Sequence, residues 1–148
     1  MAVDPRSEKN IATLKPPVQA LARKLIETAV AQGIHVKIIC GSRTYAEQNA
    51  LYAKGRTTSG KIVTKAKGGY SYHNLGLAAD FGIFSADGKK YYGEHPDYER
   101  VGAIAESLGF EWGGRWEFCD PPHIQYNPLG LTLAEMRQRE AQGLDLFS

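Results

Sequence analysis

The chain has 148 residues, 43% of them hydrophobic and 23% charged, with a net charge of +2. That is the size of one domain around one hydrophobic core, and its 18 Lys and Arg are spread along the chain against 16 Asp and Glu, without the basic stripe of a nucleic-acid-binding face. No run approaches the roughly 18 apolar residues of a membrane helix, and the first ten residues lack the apolar centre of a secretory signal, so synthesis in the cytoplasm without membrane insertion is expected.

The first strong periodicity predicts a helix from Pro16 to Gln32, with Val18, Leu21, Ala22, Leu25, Ile26 and Ala29 on one face. Gly33 ends it, as glycine commonly does just past a helix. Ile34, Val36 and Ile38 then alternate with His35 and Lys37 up to Cys40, the pattern of a half-buried strand. Gly41-Ser42 breaks that strand, and Thr44-Tyr45-Ala46-Glu47 has the form of a capping box, so a helix should run from Thr44 to about Lys54. Arg43 therefore falls at a strand-to-helix junction, where a side chain is easily presented to a cleft.

Residues 55–70, rich in Gly, Lys and Thr, read as a loop, and Leu77 to Phe84 as a buried strand stopped by Ala86-Asp87-Gly88. Pro96 to Leu108 predicts a helix with Tyr98, Val101, Ala105 and Leu108 inward. His123 to Tyr126 predicts a short strand, and Thr132-Leu133-Ala134-Glu135 a second capping box opening a last helix to about Ala141. Without repeats or low-complexity linkers, residues 1–148 are expected to form one α+β domain, a small and mainly antiparallel sheet with flanking helices. Cys40 and Cys119, with no CxxC between or around them, read as reduced, partly buried thiols.

Two stretches carry chemistry. Ser71 to Asp80 places His73 seven residues before Asp80 across Gly76, with the small residues Ala78 and Ala79 permitting close backbone approach. Trp116 to Gln125 offers Asp120 and His123 on a turn stiffened by Pro121 and Pro122. Two His and one carboxylate around a zinc leave a fourth tetrahedral position for water, as in catalytic sites, and Asp120 is then the natural general base. Spacing alone leaves other readings open, since a single His is often structural and Asp80 by itself suits a turn or cap. Ser71 is no serine-protease nucleophile, because no G-x-S-x-G surrounds it. His35 and His95 read as surface residues.

The pattern S-x-H-x-x-G-x-A-x-D at Ser71 to Asp80, followed by D-x-x-H at Asp120 to His123, resembles the LAS group of zinc peptidases. Within it the likeness is greatest to the L-alanyl-D-glutamate endopeptidases found among phage endolysins. It extends to Gly41-Ser42-Arg43-Thr44 with Gln48, Leu51 and Tyr52, to Gly68-Gly69, and to Trp112-Gly113-Gly114, covering about Ser7 to Phe147. The resemblance implies a Hedgehog/DD-peptidase-like fold with one zinc held by His73, Asp80 and His123. It also implies Asp120 as catalytic acid/base, where many relatives carry Glu, and Arg43 as the group that binds a substrate carboxylate or developing oxyanion. Gln48, Ser71 and Trp116 would shape the substrate cleft. The implied partner is the peptide stem of peptidoglycan, cut between L-Ala and D-Glu by a monomeric enzyme reaching the wall after holin-type release. The alternatives are a D,D- or L,D-carboxypeptidase on the same scaffold, or a zinc-stabilised wall-binding module without catalysis.

Overall fold

A seven-residue helix that periodicity did not reveal opens the fold: α1 (Pro5–Ile11), N-capped by Asp4, whose carboxylate accepts from the Ser7 N–H. It is too short to show a helical stripe, although Asp-Pro at its start is a cap followed by a proline at N1. The structure, a computed structural model, describes residues 3–62, 64 and 71–148; the Gly68-Gly69 part of the resemblance lies outside them.

Next come α2 (Pro16–Ala31), β1 (Val36–Cys40) and α3 (Tyr45–Ala53), each within a few residues of its predicted bounds. A 3-10 turn (Tyr72–Leu75) leads into β2 (Ala78–Phe84), followed by β3 (Tyr91–Tyr92), α4 (Asp97–Ser107), β4 (Glu111–Trp112), β5 (His123–Gln125) and α5 (Leu133–Ala141). The two-residue strands β3 and β4 were not foreseen. Both capping boxes form reciprocally, Thr44 with Glu47 and Thr132 with Glu135.

The described strands make one antiparallel sheet in the order β1-β2-β5-β4, with β3 sharing the β5 edge of β2 at its far end. Alternation along β2 sends Phe81 and Ile83 to one face, where Ile38, Ile124, Val18, Leu25 and Val101 complete a core with α2 and α4 behind the sheet. Burying each such large apolar side chain contributes about 1.5–3 kcal/mol. Asp80 lies on the other face and is the one residue of β2 that is not fully buried. The register sets Asp80 opposite Cys40 on one side and opposite His123 on the other, so three chemically active side chains stand in a row across β1, β2 and β5.

Candidate metal centre

Asp80 forms the middle of the site because β2 is the strand from which both neighbours are measured. His73 reaches it from the 3-10 turn, whose N-cap Ser71 accepts the His73 N–H through its Oγ at 3.2 Å. The segment 41–44 is tied to that turn: the Arg43 N–H donates to the His73 carbonyl at 2.9 Å, and Asn74 Nδ2 donates to the Arg43 carbonyl at 2.9 Å. Gly41 is required there, because a Cβ would fall on Thr13 Oγ1 and the Asn10 carbonyl. His73 Nδ1 lies 2.8 Å from the Gly41 carbonyl. A carbonyl only accepts, so Nδ1 carries a proton and Nε2 is the nitrogen turned to Asp80.

His73 Nε2 lies 3.4 Å from Asp80 Oδ1, and His123 Nδ1 approaches the same oxygen at 3.2 Å. A tetrahedral zinc with bonds of about 2.0–2.1 Å holds neighbouring donors roughly 3.3–3.4 Å apart, which both pairs through Asp80 Oδ1 match; the three donors that close within 4.8 Å of one another among the described residues are Cys40, His73 and Asp80. The other Asp80 oxygen, Oδ2, accepts from Arg43 Nη2 at 3.3 Å, while Arg43 Nη1 donates to Gln48 Oε1 at 3.1 Å.

Asp120 and His123 are placed by a clamp around the proline turn. Trp112 donates its indole N–H to the Pro121 carbonyl at 2.7 Å, and the Gly113 carbonyl accepts from the Asp120 N–H at 2.9 Å. A Cβ on Gly113 would meet the Asp120 carbonyl, so only glycine lets this turn close. Trp116 stands 5.2 Å from the His123 ring, centroid to centroid, and is exposed. Arg43, Ser71, His73, Asp80, Trp116, Asp120 and His123 all line one cleft of about 380 Å³.

The charges follow from the packing. Burial opposes a charge on His73, but hydrogen bonds with Asp80 and Cys40 and the Asp80 charge outweigh it, raising its pKa to about 9. Burial likewise opposes charge on Asp80, yet His123 and His73 hold it well below the usual carboxylate range. Asp120 moves the other way: burial first, then the nearby Asp80 charge, raise its pKa. A proton-accepting carboxylate beside a cation site is the arrangement that acid/base work requires.

Some expectations need correction. Gln48 is fully buried and holds Arg43 rather than forming the cleft wall. Ser71 reaches the cleft, but its hydroxyl is engaged with the His73 backbone. Both cysteines are free, but Cys119 is exposed rather than partly buried. His35 and His95 are exposed, as expected, with His95 Nδ1 3.6 Å from the Asp97 carboxylate. Cys40 was overlooked as a donor: its sulfur and donor atoms of His73 and Asp80 all lie within 4.8 Å of one another. Only the strand register, which sets Cys40 opposite Asp80, could have signalled it.

A family model described as D-alanyl-D-alanine carboxypeptidase matches residues 64–126. The chain is 45% identical over 124 residues to the peptidoglycan L-alanyl-D-glutamate endopeptidase CwlK of Bacillus subtilis, covering 78% of this chain and 74% of that protein. It is 35% identical over 137 residues to the L-alanyl-D-glutamate peptidase of Listeria phage A118, covering 84% of this chain and 42% of the phage protein. Among solved structures, the L-Ala D-Glu endopeptidase ChiX of Serratia marcescens superposes with a TM-score of 0.65 at 22% identity, over 90% of this chain and 91% of that one. The vancomycin-resistance D,D-pentapeptidase VanY, solved with Zn(II), gives 0.58 at 19% identity over 90% and 81% of the two chains. The last two likenesses are of fold.

Proposed function

This chain belongs to the LAS-type zinc peptidases, and on that premise we propose that it hydrolyses the peptide stem of peptidoglycan between L-Ala and D-Glu. The observation that carries this reading is the convergence of two imidazole nitrogens on one Asp80 oxygen, in an open cleft that also holds Asp120 and Arg43. The names of the two sequence relatives support the choice of bond.

His73 Nε2, Asp80 Oδ1 and His123 Nδ1 are the proposed donors to a single zinc. Bound there, zinc supplies Lewis acidity and lowers the pKa of water to about 7. Asp120 takes the proton from the attacking water and returns it to the leaving amine, a role its raised pKa suits. Arg43 offers a guanidinium to the negative charge that develops on the scissile carbonyl oxygen or to a stem carboxylate. Gln48 contributes by holding that guanidinium, and Trp116 offers an exposed aromatic wall next to His123. Among the described residues no helix is long and apolar enough to cross a membrane. We further propose a monomeric lysin that reaches the wall through a holin-type pore; the phage origin of one relative supports the lysin role alone.

Mass spectrometry of digested peptidoglycan, with chelator and zinc add-back, tests this. Fragments with a new N-terminal D-glutamate or isoglutamine should appear, vanish with chelator and return with zinc. Release of terminal D-alanine instead would assign the chain to the carboxypeptidases. No product under any metal condition would leave only wall binding.

A further inference from the structure

His123 has a second ring nitrogen, and a chain of two side chains leads away from it. His123 Nε2 lies 2.8 Å from Gln125 Oε1, and Gln125 Nε2 donates to Glu111 Oε2 at 2.7 Å. The strand pairing builds this chain: His123 and Gln125 are two apart on β5 and so share a face, while Glu111 on β4 stands directly opposite Gln125. Gln125 is 8% exposed and its bond with His123 is buried, so water cannot readily replace that bond.

The direction of the chain is set at its outer end. A carboxylate only accepts hydrogen bonds, so the Gln125 NH₂ must face Glu111 and its carbonyl oxygen must face His123. That oxygen needs an N–H, so His123 carries a proton on Nε2; Nδ1 faces a second acceptor, Asp80 Oδ1, and a metal there would take the place of the proton shared between them. The same chain holds the ring against rotation about its Cβ–Cγ bond. His73 obtains its orientation from a backbone carbonyl that cannot change; His123 obtains its own from two side chains that can be exchanged.

We propose that Glu111 and Gln125 are positioning residues for the metal centre, with the Glu111 charge fixing the amide of Gln125 and the amide fixing the Nε2 proton and the rotation of His123. This rests on the reading of His123 as a metal donor. Outer partners of metal-ligating histidines commonly contribute about 10- to 100-fold in metal affinity.

The test measures zinc affinity by chelator competition and the protonation of His123 Nε2 by ¹⁵N NMR of the metal-free protein. Gln125→Leu should weaken zinc binding about 10- to 100-fold. Glu111→Gln alters an exposed side chain, so folding is not at stake; it should give a mixture of His123 rings with and without a proton on Nε2 and an intermediate loss of affinity. The double exchange Glu111→Gln with Gln125→Glu moves the carboxylate next to His123 and should restore both the Nε2 proton and the affinity. Wild-type affinity and Nε2 protonation in Gln125→Leu and Glu111→Gln would overturn the proposal, as would a double variant no better than Gln125→Leu. His123→Ala separates the two levels: zinc binding that survives it would refute His123 as a donor, whereas its loss with unaffected relay variants would refute the relay alone.

Discussion

Without a metal, His73 and Asp80 hold one another in charged form, and zinc must displace the proton between them. With the His73 pKa near 9, zinc binding should release about one proton from this residue around pH 8, and affinity should rise roughly tenfold per pH unit until that pKa is passed. Calorimetry in buffers of different ionisation enthalpy measures the proton count. In the metal-free protein the stability from charged His73 is fully present below its ordinary pKa of about 6.5 and is lost as pH rises through about 9. Asp80, depressed, contributes above its unfolded pKa and loses that contribution only in strong acid. Asp120 has the opposite sign to Asp80. Its raised pKa means that stability is present while the carboxyl is protonated and is lost as pH rises through the folded value. Metal-free Asp120→Asn should therefore melt at a higher temperature than wild type at pH 7, with the gap closing toward pH 4, while wall lysis falls at least about 100-fold. Retained lysis would remove Asp120 from the mechanism.

At the scale of elements, two capping boxes of one design serve different ends. Thr44 starts α3 directly after Arg43, and its carbonyl also accepts from Asn74 of the His73 turn; Thr132 starts α5, which contributes no residue to the cleft lining. Thr44→Ala and Thr132→Ala should each cost about 1 kcal/mol in denaturant unfolding, but only Thr44→Ala should also lower kcat/KM, because it loosens the segment that presents Arg43. Equal activity in the two variants would mean that Arg43 is held by Asp80 and Gln48 alone. The boxes, the strand β1 and the helices α2 and α4 were legible in the sequence because each has its own local signal: a cap, an alternation or a long apolar stripe. Helix α1 is too short for a stripe, and β3 and β4 are two-residue strands defined by what they pair with. The donors His73, Asp80 and His123 were legible through their motif. Gln125, Glu111 and Cys40 were not, since their proximity to the site exists only once β1, β2, β5 and β4 are in register.

The whole molecule meets at the metal. The side chains at the centre come from the β1–α3 junction, the 3-10 turn, β2 and the turn into β5, so closing the site fixes segments separated by as many as 80 positions in the chain, from Arg43 to His123. A ligand bound only by the folded state stabilises it by about 4 kcal/mol at 1,000 times its Kd, which for a domain of this size is roughly 10 °C in Tm. Zinc at that excess should raise the Tm of the wild-type protein by this amount, and of His35→Ala equally, because His35 is exposed outside the cleft. His123→Ala should lose most of the shift. Cys40 decides between the two donor sets that the sheet offers. Its sulfur lies near His73 and Asp80, but it also lies 3.6 Å from the Gly41 carbonyl, and a thiolate on the metal would take the position that water needs for hydrolysis. Cys40→Ser should therefore keep the full zinc-induced shift and the activity. A shift abolished by Cys40→Ser and preserved in His123→Ala would move the metal onto Cys40, His73 and Asp80, and a site filled in that way would serve structure before catalysis.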